Sequence, residues 1–181
     1  MNYKVIYVCY SNKGRSPAFE AYTKHFLSEK GIEDITVLSA GVGTARMDQL
    51  RVEGHSSASK VTRQILAQQG LNIDDHKITN LENVIKGADL ILVTDQDVLD
   101  TIRNDFSHYA GRAMLAGEYA GSKMYKEVHG PHWSGRGPIK SEVEGYKRMI
   151  VEIKYLTRKV VKRMIAERGE GKLSRRKGSE E

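Results

Sequence analysis

The chain alternates short apolar runs with stretches whose apolar residues recur at helical spacing. Three runs have the length and composition of buried strands, namely KVIYVC at 4–9, DITVLSA at 34–40 and ADLILVT at 88–94. A shorter fourth strand is predicted for RAMLAG at 112–117. Because strands that alternate with helices are joined by right-handed crossovers, the pattern predicts a three-layer α/β/α fold around a parallel sheet of four strands.

The covering helices are predicted from the positions of apolar residues and from glycines placed to end them. They span residues 17–30, 56–69, 81–87, 97–106 and 141 to about 167. Residues 118–140 show no periodicity and are predicted to form a long surface loop. Loops of that length in a compact domain usually have a function, so this one is a candidate part of the functional site.

Length and charge indicate one domain with a basic end. The chain has 181 residues, of which 39% are hydrophobic, and a net charge of +6. Residues 158–181 hold nine Lys or Arg against four Glu, so the rest of the chain is nearly neutral. We predict a folded domain over 1–168 and a basic, disordered tail over 169–181. The tail lacks interleaved aromatic residues, which favours a solvated segment over a nucleic-acid interface, with RNA binding by 158–181 as the alternative.

Cysteine usage and hydropathy predict a cytoplasmic protein. The chain has one cysteine, so it can form no internal disulfide, and this suits a reducing compartment. It has no run of eighteen apolar residues and no charged leader before an apolar segment, so no membrane contact is expected. Neither a metal nor a cofactor is expected.

The segment CYSNKGRSP at 9–17 places that cysteine where the first strand passes into the first helix. Ligands of open parallel sheets bind beyond the carboxyl ends of strands, and Cys9 lies at such an end. The loop that follows is small enough to turn its N–H groups inward, and Asn12 and Gly14 tolerate left-handed conformations. Ser16 as N-cap and Pro17 at the first helical position would then open the helix. Inward N–H groups beside a helix N-terminus predict an anion site.

This anion site would make Cys9 a nucleophile. Inward amide dipoles, the helix terminus and Arg15 would stabilise its thiolate at neutral pH. Arg15 also offers a bidentate fork to phosphate oxygens, so the pattern favours attack on phosphorus and a cysteinyl-phosphate that water then cleaves. The alternative is a small, buried and inert cysteine at the end of a strand.

The segment VCYSNKGRSP resembles the active-site loop of the low-molecular-weight protein tyrosine phosphatases. The resemblance extends to LSAG at 38–41, ADLILVTDQDVL at 88–99 and EVEGYKRMIVEI at 142–153. It implies that Cys9 is the nucleophile, that Arg15 clamps phosphate and that Ser16 hydrogen-bonds the thiolate and helps it leave. The implied phosphate-binding residues are Tyr10, Ser11, Asn12, Lys13, Gly14 and Arg15. Ser39 and His76 are implied to support Asn12 from behind.

One departure from this family concerns the general acid. The family uses the Asp of an Asp-Pro dipeptide in its late loop, whereas no Asp follows Asp105 here. Two alignments of the loop put Gly130 or Gly137 in its place. The candidate substitutes are His129, His132 and Glu127, and Trp133 could wall the substrate pocket. A positioned acid contributes about 10²- to 10⁴-fold, so we expect slower turnover and a preference for good leaving groups. Gly14 also replaces a second cysteine that is common in the family.

The resemblance therefore implies a phosphatase that hydrolyses phosphate monoesters such as phosphotyrosine. Its partner would be a phosphorylated protein or a small phosphorylated molecule. Two other functions stay open at this point. One is a non-catalytic module that binds phosphate or phosphoproteins, and the other is an arsenate reductase that depends on an external thiol.

Overall fold

A computed structural model describes residues 3–43, 58–132 and 140–171. Its centre is a sheet of four parallel strands in the order β2-β1-β3-β4. The strands are β1 (Tyr3–Cys9), β2 (Ile35–Gly41), β3 (Leu90–Val93) and β4 (Ala113–Leu115). All four predicted strands are present, and the predicted parallel sheet is confirmed.

Helices connect consecutive strands and cover both faces. They are α1 (Arg15–Ser28), α2 (Lys60–Ala67), α3 (Gln96–Asp105), α4 (Ala116–Tyr119) and α5 (Glu142–Gly169). Two 3₁₀ helices span Leu81–Asn83 and Ser107–Arg112. Within the described ranges, none of these helices combines the length and the apolar character of a membrane span.

The alternation of side chains along β1 divides the core into two halves. Val5 and Tyr7 are buried on one face, where α1, α2 and α5 contribute most of the apolar partners. Ile6 and Val8 are buried on the other face against residues of β3 and α3. Since every one of these four side chains is fully buried, β1 is the central strand of a three-layer α/β/α arrangement, as the sequence predicts.

Some local boundaries differ from the predicted ones. Helix α1 begins at Arg15 with Gly14 at the N-cap position, so the prediction of Ser16 as N-cap and Pro17 as the first helical residue is wrong. The reason is that the Ala18 N–H already bonds the Gly14 carbonyl at 3.2 Å, which closes the first turn earlier. This frees the Ser16 hydroxyl for another contact.

Two further predictions need adjustment. The helix predicted over 81–87 is a single 3₁₀ turn, with the Asn80 side chain accepting the Glu82 N–H. The predicted loop at 118–140 begins inside α4, which ends at Tyr119. Residues 133–139 of this loop, which include Trp133 and Gly137, lie outside the described ranges. The proposed tail also lies outside them from residue 172 onward.

Candidate active site

Cys9 is the last residue of β1, and its side chain is buried at the carboxyl edge of the sheet. The Asn12 N–H donates to the Cys9 Sγ at 3.2 Å, and the Ser16 Oγ lies 3.0 Å from the same sulfur. Loop and helix thus both turn a polar hydrogen-bonding group toward the sulfur. An N–H donor and a hydroxyl are groups that stabilise a thiolate, so the surroundings of this cysteine differ from those of an inert core residue.

Asn12 holds the loop in its curled shape. Its backbone φ is 53°, a left-handed conformation that asparagine tolerates better than most residues. Its side-chain Nδ2 donates to the Ser16 Oγ at 2.9 Å and to the Ser39 Oγ at 3.0 Å. Its Oδ1 accepts the Thr79 N–H at 2.9 Å, and its carbonyl lies 3.0 Å from the His76 Nε2. Asn12 is fully buried, so these bonds satisfy a polar side chain that would otherwise be costly to bury.

The predicted supports Ser39 and His76 therefore both lie against Asn12. Thr79 is a third support that the sequence reasoning missed. Its N–H reaches Asn12 because the segment after α2 runs past the end of β2, where Thr79 also accepts the Gly41 N–H at 2.9 Å. A backbone contact of this kind leaves no mark on residue type, so no sequence signal could have found it.

Further backbone bonds tie the loop to its neighbours. The Gly43 N–H bonds the Tyr10 carbonyl at 2.8 Å, and the Ser59 N–H bonds the Lys13 carbonyl at 2.8 Å. A Cβ on Gly43 would lie 2.5 Å from the Tyr10 ring, so this ring packs directly on the glycine backbone. The ring is still 48% exposed, which places it at the rim of the site. Ser11 and Lys13 are partly exposed at the same rim.

Arg15 is directed toward the end of β3. Its Nη1 forms an ion pair with Asp95 and donates to the Thr94 Oγ1 and the Val128 carbonyl, each at 3.2 Å. These contacts all use Nη1, so among the described residues Nε and Nη2 have no hydrogen-bond partner and can point to a phosphoryl oxygen. Asp95 had no predicted role, although its place just after β3 is a signal, because the carboxyl ends of parallel strands share one edge.

The late loop crosses the site at Val128. The Val128 N–H donates to the Thr94 carbonyl at 2.7 Å, and the Val128 side chain is buried. The neighbouring Glu127 and His129 therefore flank a residue that touches Arg15. The His129 Nε2 lies 3.9 Å from the Glu127 Oε2, and that oxygen accepts the Gln96 N–H at 3.4 Å.

Two of the three candidate proton donors, Glu127 and His129, thus lie beside a residue that contacts Arg15. The third, His132, is exposed three residues after His129, and no contact with the cysteine loop is described for it. Gly130, where the family's Asp could align, follows His129 directly. Within the described part of the chain, no three His, Cys, Asp or Glu side chains cluster as metal ligands do.

Helix α5 fixes the far side of the late loop. A Cβ on Gly145 would lie 1.9 Å from the Pro131 carbonyl oxygen, so the loop backbone rests directly on the helix at this glycine. Met149 lies one turn farther along α5. Its Cε would be 3.5 Å from a Cβ placed on Gly14. One helix therefore contacts both the cysteine loop and the late loop.

Comparisons with known proteins agree on one family. The model of low molecular weight phosphotyrosine protein phosphatases matches residues 4–170. A protein-arginine-phosphatase of Bacillus subtilis is 26% identical over 164 residues, which cover 91% of this chain and 98% of that protein. The low molecular weight protein-tyrosine-phosphatase PtpA of Staphylococcus aureus is 27% identical over 130 residues, 72% of this chain and 79% of PtpA.

Solved structures give the same result for the fold. A crystal structure of a YwlE mutant from Bacillus subtilis aligns with a TM-score of 0.73 at 26% identity, covering 91% of this chain and 99% of that one. A low molecular weight protein tyrosine phosphatase from T. tengcongensis aligns with a TM-score of 0.71 at 28% identity, covering 89% and 99%. The likeness thus includes nearly the whole of each solved chain.

Proposed function

Because the chain belongs to the low molecular weight phosphotyrosine protein phosphatase family, we propose that Cys9 is its catalytic nucleophile and Arg15 its phosphate clamp. The observation that carries this proposal is the environment of the sulfur. The Cys9 Sγ accepts a loop N–H at 3.2 Å and lies 3.0 Å from the Ser16 hydroxyl. A sulfur in such surroundings is suited to react as the thiolate.

In the first step the thiolate attacks phosphorus, and the S–P bond forms while the bond from phosphorus to the leaving atom breaks. In a phosphate ester that atom is oxygen, which leaves as an anion or takes a proton; in phosphoarginine it is a guanidino nitrogen, which takes a proton. Negative charge spread over the three other phosphoryl oxygens is stabilised by the loop N–H groups and by the Arg15 guanidinium. Asp95 acts as a positioning residue, since its ion pair directs the guanidinium across the end of β3.

In the second step a water oxygen attacks the same phosphorus and the S–P bond breaks. The electron pair returns to sulfur, and inorganic phosphate leaves. The Ser16 hydroxyl lies 3.0 Å from the sulfur and 3.2 Å from the Ala40 carbonyl, so it can donate its one hydrogen bond to the departing thiolate by turning from that carbonyl. The Asn12 amide holds that hydroxyl in place from its other side.

His129 is the favoured proton donor for the leaving group. It shares the late loop with the backbone carbonyl that contacts Arg15, and its Nε2 lies 3.9 Å from the Glu127 Oε2. His129→Ala should lower kcat/KM for alkyl phosphates, whose leaving groups need a proton, while changing kcat/KM for activated aryl phosphates little. Equal losses on both substrates would assign the proton to another group.

The proposed substrate is a phosphorylated protein side chain, with phosphotyrosine as the first candidate. A second candidate is phosphoarginine, because the arginine phosphatase relative aligns over 91% of this chain while the tyrosine phosphatase PtpA aligns over 72%. Two peptides of one sequence, carrying either phosphotyrosine or phosphoarginine, distinguish them through kcat/KM.

Substitution of Cys9 tests the mechanism itself. Cys9→Ser should abolish turnover of an aryl phosphate, and Arg15→Ala should reduce kcat/KM by about 10³-fold, because the transition-state charge loses its strongest donor. Arg103→Ala is the matched control, since this arginine is exposed on α3 and pairs only with Asp100 among the described residues. Unchanged hydrolysis by Cys9→Ser would refute the mechanism. Phosphopeptide binding by wild type without phosphate release would indicate a binding module instead.

A further inference from the structure

A groove of about 520 Å³ lies between the second half of α1 and the middle of α5. Its lining residues on α1 begin at Tyr22, and Phe26 lies roughly 16 Å along the helix from Arg15 at 1.5 Å per residue. On α5 the lining runs from Lys154 to Ile165, beyond the turn where Met149 approaches the cysteine loop. The groove is therefore separate from the active site, at the other end of the same two helices.

Aromatic rings covered by cations form the floor of this groove. The rings of Tyr22 and Phe26 stack with their centroids 6.0 Å apart. The Lys154 Nζ lies 5.6 Å from the Tyr22 centroid, and the Arg158 Cζ lies 5.6 Å from the Phe26 centroid. The Gln69 Oε1 accepts from both the Tyr22 hydroxyl, at 2.7 Å, and Lys154, at 2.8 Å. Burial raises the pKa of Tyr22 to about 12, so the phenol adds no negative charge near neutral pH.

The charge of the groove is not compensated. The basic lining side chains are Lys30, Lys154, Arg158 and Lys162 together with the titratable His25, and the acidic one is Glu29, which lies 3.5 Å from that histidine. No carboxylate partner is described for the two lysines and the arginine of α5 that line the groove. The groove thus combines an apolar floor with an open positive rim.

Three arginines elsewhere on α5 behave differently, whereas Lys147 and Lys159 of the same helix resemble the groove cations in having no acidic partner among the described residues. Arg148 pairs with Glu144 at 2.6 Å, Arg163 with Glu167 at 2.6 Å, and Arg168 with Asp34 at 2.9 Å. Each of these three arginines is matched by an acid of this chain, and Arg163 also lies 4.4 Å from the Tyr119 ring centroid. For the groove cations on α5, no acidic partner is described. An acid supplied by another molecule would complete the same pattern in the groove.

The spacing of the cations indicates the shape of that molecule. Lys154, Arg158 and Lys162 follow one another at four-residue intervals, which is about 6 Å of helix rise per step. Alternate side chains of an extended peptide lie on one face about 6.6 to 6.8 Å apart. An extended peptide with an acidic residue at every second position can therefore present one carboxylate to each cation.

We propose that the α1–α5 groove binds an extended acidic peptide segment of a partner protein. The inference goes beyond the chemistry at Cys9 and does not depend on it. Arg158 can bind a carboxylate with its guanidinium fork while its face covers the Phe26 ring. Bases of single-stranded nucleic acid bind by stacking on open aromatic faces, and here Lys154 and Arg158 occupy those faces, which favours a peptide.

Fluorescence anisotropy with labelled peptides of about ten residues tests the proposal. One peptide alternates Glu with Ser, and its isomer places all Glu residues in one block. We expect the alternating peptide to bind more tightly than the isomer, and its affinity to fall as salt rises from about 0.02 M to about 0.15 M. Equal affinity for the two isomers would overturn the spacing argument and with it the proposal.

Variants locate the binding. Replacing Lys154, Arg158 and Lys162 together by Gln should weaken binding about tenfold, as expected for the loss of three exposed ion pairs. The matched control replaces Lys77, Lys86 and Lys123 by Gln, since these lysines are exposed outside the groove, and it should change affinity less than about twofold. Equal losses in both variants would show general charge attraction and refute the groove site.

Two further measurements keep the result interpretable. Lys162→Gln alone changes an exposed side chain with no described partner, so it cannot unfold the helix, and it should weaken binding by about twofold. Aryl phosphate hydrolysis by the groove variant should equal that of wild type, so failure of the groove is distinguishable from failure of the proposed catalysis. Tighter binding of an oligonucleotide of matched charge would overturn the proposal in favour of a nucleic-acid surface.

Discussion

At the scale of single residues, Asn12 connects Cys9, the proposed nucleophile, to the rest of the fold. Its amide and carbonyl contact Ser16, Ser39, Thr79 and His76, which belong to three separate segments of the chain. The residue is fully buried in a left-handed conformation, so neither its side chain nor its backbone is easily replaced. The position of the Asn12 N–H under the sulfur depends on these contacts.

Asn12→Ala should therefore affect both stability and catalysis. The Thr79 N–H would lose its acceptor in a buried place, and we expect the free energy of unfolding to fall by about 1–3 kcal/mol. The value of kcat for an aryl phosphate should fall because the curled loop is no longer held. Urea unfolding and steady-state kinetics measure the two effects. Ser39→Ala, which removes a single acceptor of the Asn12 amide, is the graded control and should lose less of both.

A variant Asn12→Ala that unfolds more easily yet turns over at the wild-type rate would contradict this role. It would show that the loop keeps its shape without the buried amide.

At the scale of elements, the contact between α5 and the late loop sets the position of the candidate proton donors. The helix backbone at Gly145 touches the Pro131 carbonyl, and this contact leaves no room for a side chain. Val128, three residues earlier, is bonded to Thr94 at the end of β3. The segment from Val128 to Pro131 is thus held between a strand end and a helix, and His129 lies within it.

Gly145→Ala tests this arrangement. A Cβ at 1.9 Å from the Pro131 oxygen forces the helix and the loop apart, so we expect a loss of about 1–3 kcal/mol in unfolding free energy and a lower kcat. Gly169→Ala, at the last turn of the same helix, meets no atom within 4 Å and should be neutral or slightly stabilising. Thermal unfolding and aryl phosphate kinetics provide the readouts. Equal stability of the two variants would show that the contact is looser than described.

At the scale of the whole molecule, two surface ion pairs, one within α5 and one between α5 and the segment before β2, link stability to pH. The Lys140 N–H and the Arg148 side chain hydrogen-bond Glu144 and lower the pKa of its carboxyl below 4.5. Arg168 likewise lowers the pKa of Asp34 below 3.8. A lowered pKa in the folded state means that the unfolded chain takes up protons first as the pH falls. The stabilisation is complete above about pH 5 and is lost as the pH falls through the folded-state values.

Glu144→Gln should flatten this acid limb. The urea midpoint of wild type should fall between about pH 5 and pH 3, and the variant should show a smaller fall because one titrating group is gone. Glu118→Gln is the control, since Glu118 is exposed and has no described ion pair. The ion pair of Glu144 with Arg148 lies at the surface, so added salt should reduce the difference in acid stability between wild type and Glu144→Gln. An equal fall of the urea midpoint with pH in Glu144→Gln and wild type would show that Glu144 does not contribute to this pH dependence.

Most of the fold and the cysteine loop could be predicted from the sequence, because their signals lie in neighbouring residues. The strands and major helices follow from hydrophobic periodicity, and the parallel arrangement of the strands follows from their alternation with helices. The cysteine loop is a single contiguous segment, so its residues could be named together. Errors arose where a boundary depended on one hydrogen bond, as at Gly14, where the first turn closes earlier than the Ser-Pro signal indicates.

The sequence by itself determined the fold class, the family and the cysteine loop, because periodicity and a contiguous motif are both written in neighbouring residues. Only the tertiary structure decided which distant groups meet that loop. Asp95 reaches Arg15 and Thr79 reaches Asn12 across 80 and 67 positions, since a parallel sheet brings the carboxyl ends of strands far apart in the chain to one edge. The tertiary structure also decided which cations of α5 have an acidic partner among the described residues, because that depends on the neighbours each helical face meets after packing.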